Sequence, residues 1–192
     1  MISWSVCNIK KILFSMLILS GLTVTLFSQD KQISGVINVY RHVTAIGGLN
    51  NVTLNNTDSI APGDTVLLIQ MQGVGIDTTL GAYGYFIASL YGKPGEYEFL
   101  LVQDTVGGVV TFTRNIINAF DIKGNVQLIR VPYYNSATVT GTLTAKSWDN
   151  TEKTGGVLAM IVGRKLKLDA DIDVSKKGFF GGKDTIGIGE CV

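Results

Sequence analysis

Ten residues, Lys165 to Val174, alternate without a break between charged and apolar side chains. Lys165, Lys167, Asp169, Asp171 and Asp173 take one parity, and Leu166, Leu168, Ala170, Ile172 and Val174 the other. Side chains alternate across a strand, so this order puts every charge on one face and every apolar group on the opposite one. A helix would scatter both sets around its circumference. Ala137 to Lys146 repeats the pattern in milder form. Thr138, Thr140, Thr142 and Thr144 share one face, and Val139, Leu143 and Ala145 the other. Each segment is expected to bury its apolar face and wet its polar one.

The preceding part reads as shorter strands. Gln32 to Tyr40 is rich in β-branched residues, and Asn51 to Leu54 forms a brief strand. Asp64 to Met71 follows Pro62-Gly63, a turn signal. Glu98 to Val102 and Val109 to Arg114 flank Gly107-Gly108 as a hairpin. Val126 to Val131 follows the turn residues Gly124-Asn125. No amphipathic helix exceeds about two turns, and Asn115 to Phe120 is expected to make one turn. The fold class is therefore all-β. Residues 29–132 form an irregular β-sandwich or barrel-like module, and 133–192 hold the opening strands of a stacked, β-helix-like segment. The boundary falls at Pro132-Tyr133, after which glycine pairs appear at Gly155-Gly156 and Gly181-Gly182. Stacked folds need several coils to bury a continuous core. Here the sequence closes after roughly one, so the chain is expected to be a piece of a longer polypeptide.

The first 28 residues stand apart. Lys10 and Lys11 precede an apolar run, Ile12 to Phe27, and Ser28-Gln29-Asp30 turns polar. That order describes a secretory signal peptide, cleaved after Ser28, although Leu26 departs from the small-x-small exit pattern. The run falls short of the roughly 20 residues a membrane-spanning helix requires. Lipidation is not expected, because Cys7 precedes the apolar run instead of following it. The working chain then contacts the membrane only in transit and is expected in the periplasm, at the cell surface or outside the cell. The leader takes two of the 16 basic residues with it, leaving 14 against 15 acidic ones. A near-neutral chain without a polybasic segment offers nothing to nucleic acid or anionic lipid. Cys191 is then the lone cysteine, so no intramolecular disulfide supports the fold.

Chemistry-bearing patterns are sparse. His42 is the sole histidine, so a Ser-His-Asp triad or most zinc sites would have to use it. It lies in an ordinary strand sequence. Asp169, Asp171 and Asp173 could hold calcium from one strand face. They fail the calcium-loop pattern, since Val174 stands where glycine is needed and Phe180 where the bidentate acid belongs. A solvated face balanced by Lys165 and Lys167 is the preferred reading. Glu96 and Glu98 could serve as a glycosidase pair only with a partner opposite, which nothing supplies. Gly73, Gly75 and Gly81 form no dinucleotide fingerprint, and no G-x-S-x-G, C-x-x-C or phosphate loop occurs. Tyr83, Tyr85, Phe86, Tyr91 and Tyr97 crowd one glycine-rich stretch. They read as aromatics packing one another, with a sugar-stacking platform as the alternative. No catalytic, cofactor-binding or metal residue is assigned, and no cofactor is expected.

Three strings carry a resemblance: I-S-G-V-I-N-V-Y-R-H-V-T-A-I, P-G-D-T-V-L-L-I-Q-M-Q-G, and V-T-G-T-L-T-A-K-S-W-D with the following T-G-G-V-L-A-M-I-V-G-R-K-L-K-L-D-A-D-I-D-V. Together, over Gln32 to Gly182, they resemble the N-terminal region of large gliding-motility-associated surface proteins with type IX secretion sorting domains. The resemblance implies a long, exported, β-rich and adhesin-like protein, and it supplies no catalytic residue. The sorting domain of such proteins is not found in this sequence, which fits a piece of a longer chain. It also implies O-glycosylation at Asp58-Ser59-Ile60, Asp64-Thr65-Val66, Asp104-Thr105-Val106 and Asp184-Thr185-Ile186. The expected function is that of a non-enzymatic structural or adhesive surface module, with a surface glycan or another envelope protein as partner. The alternative is the non-catalytic, carbohydrate-binding front end of a secreted polysaccharide-active enzyme.

Overall fold

A computed structural model describes residues 30–77 and 86–179. They are all-β, with one short 3-10 turn at Ile122–Gly124. The strands are β1 (Lys31–Val36), β2 (Val39–Gly47), β3 (Asn51–Leu54), β4 (Thr65–Gln70), β5 (Val74–Asp77) and β6 (Phe86–Leu90). They continue with β7 (Tyr97–Val106), β8 (Val109–Phe112), β9 (Val126–Arg130), β10 (Tyr133–Thr144) and β11 (Ile161–Leu168).

Six strands close an antiparallel barrel in the order β2-β3-β8-β7-β4-β9. Closure removes the free edges that an open sheet would expose. Strand alternation fills the interior: Val43, Val52, Val66, Leu68, Leu100, Val102, Val110, Phe112, Val126 and Leu128 are buried in one cluster. On β7 the inward set is Glu98, Leu100 and Val102, while Tyr97, Phe99 and Leu101 point out. The β7–β8 hairpin turns at Gly107 and Gly108, with φ of 59° and 85°. Two consecutive positive φ values define the tight hairpin turn that glycine favours, as the sequence suggests.

A second sheet runs parallel in the order β1-β10-β11. The whole barrel lies between β1 and β10 in sequence, yet Ile33 stands beside Val139. Ile33, Ala137, Val139 and Leu143 form its buried core, with Leu158, Met160 and Ala170 packed against them. The expected barrel-like module and stacked β segment are therefore both present.

Between the two lies the extended segment 155–161. Val157, Ala159 and Ile161 pack towards the barrel, against Tyr40, Leu67, Ile129 and Val131. Leu158 and Met160 pack towards the parallel sheet. One extended segment thus joins two cores by the same two-residue period that builds the strands.

Three local expectations change. Gln32 to Tyr40 is two strands, broken at Ile37-Asn38, because the Asn38 amide turns to bind Ala159 and the strands on either side join different sheets. Asn115 to Phe120 makes no helical turn. Its N–H groups donate elsewhere: Ile116 to the Leu49 carbonyl, and Ile117 and Asn118 to the Glu98 carboxylate. The alternating run at 165–174 leaves the strand at Leu168 and does not bury its apolar face. Leu168 is 57% exposed, because no further described strand covers it.

Candidate functional site

The polar residues with the most specific work are three that sequence reading passed over. Gln127, fully buried on β9, clasps Gly155 with both ends of its amide. Its Nε2 donates to the Gly155 carbonyl at 2.9 Å, and its Oε1 accepts from the Gly155 N–H at 2.9 Å. Asn38 does the same for Ala159, its Nδ2 donating to the carbonyl at 2.6 Å and its Oδ1 accepting from the N–H at 3.0 Å. Between them the Tyr40 hydroxyl donates to the Val157 carbonyl at 2.6 Å. Burial pushes the Tyr40 phenol above its ordinary range, so it remains a donor. Side chains thereby replace a neighbouring strand, binding the backbone at alternate residues 155, 157 and 159. The signal available in the sequence is an amide within an apolar run, in V-I-N-V-Y and V-Q-L-I-R. Buried amides are retained where both ends are satisfied.

Beside this clamp lies an open groove of about 420 Å³. Leu67, Ile69, Tyr97 and Phe99 form one wall, and Val157 to Met160 the other. The Tyr97 and Phe99 rings meet edge to face, with centroids 6.1 Å apart. Tyr97 is 57% exposed and Phe99 43%. Two polar side chains bind the backbone of this wall: Asn118 donates to the Tyr97 carbonyl at 3.0 Å, and Arg114 to the Phe99 carbonyl at 2.6 Å. No carboxylate or imidazole lines the groove. It can take apolar or ring-stacking contacts, and it holds no acid–base pair.

The residues singled out from sequence do not gather. His42 lies half-buried on β2, with its backbone bound to Asn55. Burial, with the Lys153 charge second, holds its imidazole below the ordinary histidine range. Asp169 turns to Lys167 at 3.0 Å. Asp173 accepts from the Ser175 N–H at 2.8 Å, and bonds to Ser175 hold its carboxyl below the usual range. Among the described residues, no three histidine, cysteine or acidic side chains converge as metal ligands would.

Glu98 is a buried tie. It pairs with Arg114 and accepts from Ile117 and Asn118, while Glu96 lies 3.9 Å from Lys93. Tyr91 carries the Lys123 ammonium 5.8 Å above its ring. Of the glycosylation motifs, Ser59 is exposed, while Thr65 and Thr105 are half-buried. The leader, Gly81, Tyr83, Tyr85, Phe180, Asp184 and Cys191 lie outside the described residues.

No family model matches the chain, and no curated protein matches it. Among solved structures it is similar to the tailspike gp61 of Pseudomonas phage phi297, at 13% identity and a TM-score of 0.34, over 57% of this chain and 20% of that one. The tailspike gp49 of Pseudomonas phage LKA1 matches at 14% identity and a TM-score of 0.32, over 60% of this chain and 20% of that one. The Gp54 tailspike of Acinetobacter baumannii bacteriophage AP22, solved with a capsular saccharide, matches at 10% identity and a TM-score of 0.36, over 70% and 22%. The chain spans about a fifth of the length of each. TM-scores at this level do not establish a shared fold.

Proposed function

We propose that this chain is the exported, non-enzymatic front of a β-rich surface protein, in which the barrel seats the first strands of a parallel stack. The supporting observation is the clamp of Asn38, Tyr40 and Gln127 on residues 155–159. It ties the parallel sheet to the barrel through backbone atoms, which suits a module that transmits load or holds an orientation. A buried, fully satisfied polar network fixes one arrangement of the parts it joins. Export through the type IX route and gliding-motility association belong to the same proposal and rest on the sequence resemblance alone.

The exposed Tyr97 and Phe99 beside the groove favour a second reading, a carbohydrate-binding module. Aromatic faces stack on sugar rings at low entropic cost. A glycan-array screen of the wild type and of Tyr97→Ala separates the two. The structural reading expects no glycan signal from either protein. A wild-type signal lost in a Tyr97→Ala variant of unchanged stability would promote the second reading. Export is checked by intact-mass measurement of the secreted protein, where cleavage after Ser28 is expected and retention of Met1 to Ser28 counts against it.

A further inference from the structure

β11 is the outer strand of the parallel sheet. One edge pairs with β10, and no described strand pairs with the other. Its side chains form two columns. Leu166, Leu168 and Ile172 continue rows that start at Ala137, Val139 and Leu143, all fully buried on β10. On β11 Leu166 and Leu168 are 38% and 57% exposed, and Ile172, bridged to Leu143 just past the end of β11, is 41% exposed. The rows are continuous, so the apolar face of β11 extends a packing interface that β1 and β10 have already formed.

Charge selects the occupant. In the other column Lys165 and Lys167 precede Asp169, Asp171 and Asp173, while β10 sets only Ser136 and Thr138 beside the two lysines. Lys167 bridges to Asp169 along its own strand at 3.0 Å, and both groups are about half exposed. Such exposed bridges exchange partners at little cost. A second copy laid parallel and in register would set lysine against lysine and aspartate against aspartate, which destabilises strand pairs. An antiparallel copy could match Lys165 with Asp171 and Lys167 with Asp169. The backbone bends at Asp169-Ala170, however, so the straight half of each strand would meet the bend of the other. A parallel partner follows the bend as β10 does, since Leu143 and Ile172 stay paired beyond it.

We propose that the edge of β11 which no described strand pairs takes a parallel strand of reversed charge order. That strand carries apolar residues at alternate positions, acidic residues opposite Lys165 and Lys167, and basic residues opposite Asp169, Asp171 and Asp173. The same lysines and aspartates keep copies of this chain from stacking on one another, as charged edge strands do. The proposal rests on reading the module as the base of a stack and names the kind of strand that stack accepts.

Two labelled peptides test it by fluorescence polarisation: E-L-E-L-K-A-K-I-K-V, and K-L-K-L-D-A-D-I-D-V, which is the sequence of 165–174 itself. The reversed-charge peptide should bind at least about tenfold more tightly, and the gap should narrow in about 0.5 M salt. Lys165→Glu with Lys167→Glu in the protein should shrink that preference without reversing it, because only the three aspartate positions then still favour the reversed-charge peptide. A nitroxide on the peptide's amino end should broaden amide signals near Lys165 and not near Asp173. Equal affinities, no binding, or an antiparallel signal would overturn the proposal. Unfolding of the same sample distinguishes the two failures. Coincident unfolding of sheet and barrel leaves the structural reading standing when the peptide fails, and separate unfolding removes that reading too.

Discussion

Gly155 is fixed by two independent constraints. Its φ is +119°, and a Cβ there would lie 2.4 Å from the Ser147 carbonyl oxygen, a backbone atom that cannot swing away. Gly155→Ala is therefore expected to cost about 3 kcal/mol or more, since backbone strain alone is worth roughly 1–3. Gln127→Leu keeps the volume but strands a buried N–H and a buried carbonyl. Two unsatisfied groups of this kind cost about 2–6 kcal/mol together. Urea denaturation of both variants measures these losses, and a change within error in either one would count against the clamp. His42 gives a pH signature. Its folded pKa lies below the unfolded value of about 6.5, so the unfolded chain binds the proton more readily below that pH. The contribution is intact above about 6.5 and is lost as pH falls towards the folded value. His42→Gln should flatten the decline in stability just below pH 6.5, read from melting temperatures across that range. The lowered carboxyls of Asp149 and Asp173 act only at more acidic pH.

Among the elements, β9 and β11 are opposites. β9 pairs on both edges, with β2 and β4. It is also buried on both faces: Val126 and Leu128 fill the barrel, and Gln127 and Ile129 lie under residues 155–161. Among the described strands β11 pairs on one edge, and its residues are exposed from Gly163 onwards. Amide hydrogen exchange should accordingly be slowest in β9 and fastest among the paired strands in β11. Leu128→Ala should cost about 2–5 kcal/mol, and Leu168→Ala within about 0.5. Comparable losses at the two leucines would mean that the Leu168 face is covered. The two strands also explain what the sequence reveals. Period-two alternation identifies β10, because it depends only on local chain geometry. It cannot say whether a further strand covers the apolar face, so Leu166 and Leu168 read as core and stand exposed. Nor does it find the clamp. The roles of Asn38 and Gln127 depend on partners 121 and 28 residues away, and only the closed fold brings those together.

At the scale of the molecule the question is whether barrel and sheet fold as one. Their cores are separate clusters, and residues 155–161 pack on the sheet's core with one side and on the outer face of the barrel with the other. If the clamp couples them, melting the sheet must release Val157, Ala159 and Ile161 from Leu67 and Ile129, exposing the outer face of β4 and β9. Apolar burial at about 25 cal/mol per Å² makes that costly, so neither part should persist alone. Trp148 supplies a local probe. It is 6% exposed, donates to Asn150 at 2.8 Å, packs edge to face with Phe179, and its backbone N–H binds the Lys177 carbonyl, in the chain that follows β10 and β11. Its fluorescence and the exchange protection of β4 should therefore be lost over the same urea range in the wild type, which is the test of one cooperative unit. Asn38→Leu combined with Gln127→Leu removes both amide clasps without shrinking either core. In that double variant the Trp148 transition should move to lower urea while β4 protection persists. If the two probes separate already in the wild type, the barrel and sheet are independent, and the reading of the clamp as a coupling between them fails. If they remain together in the double variant, apolar packing alone couples the layers, and the amides serve only to satisfy the backbone.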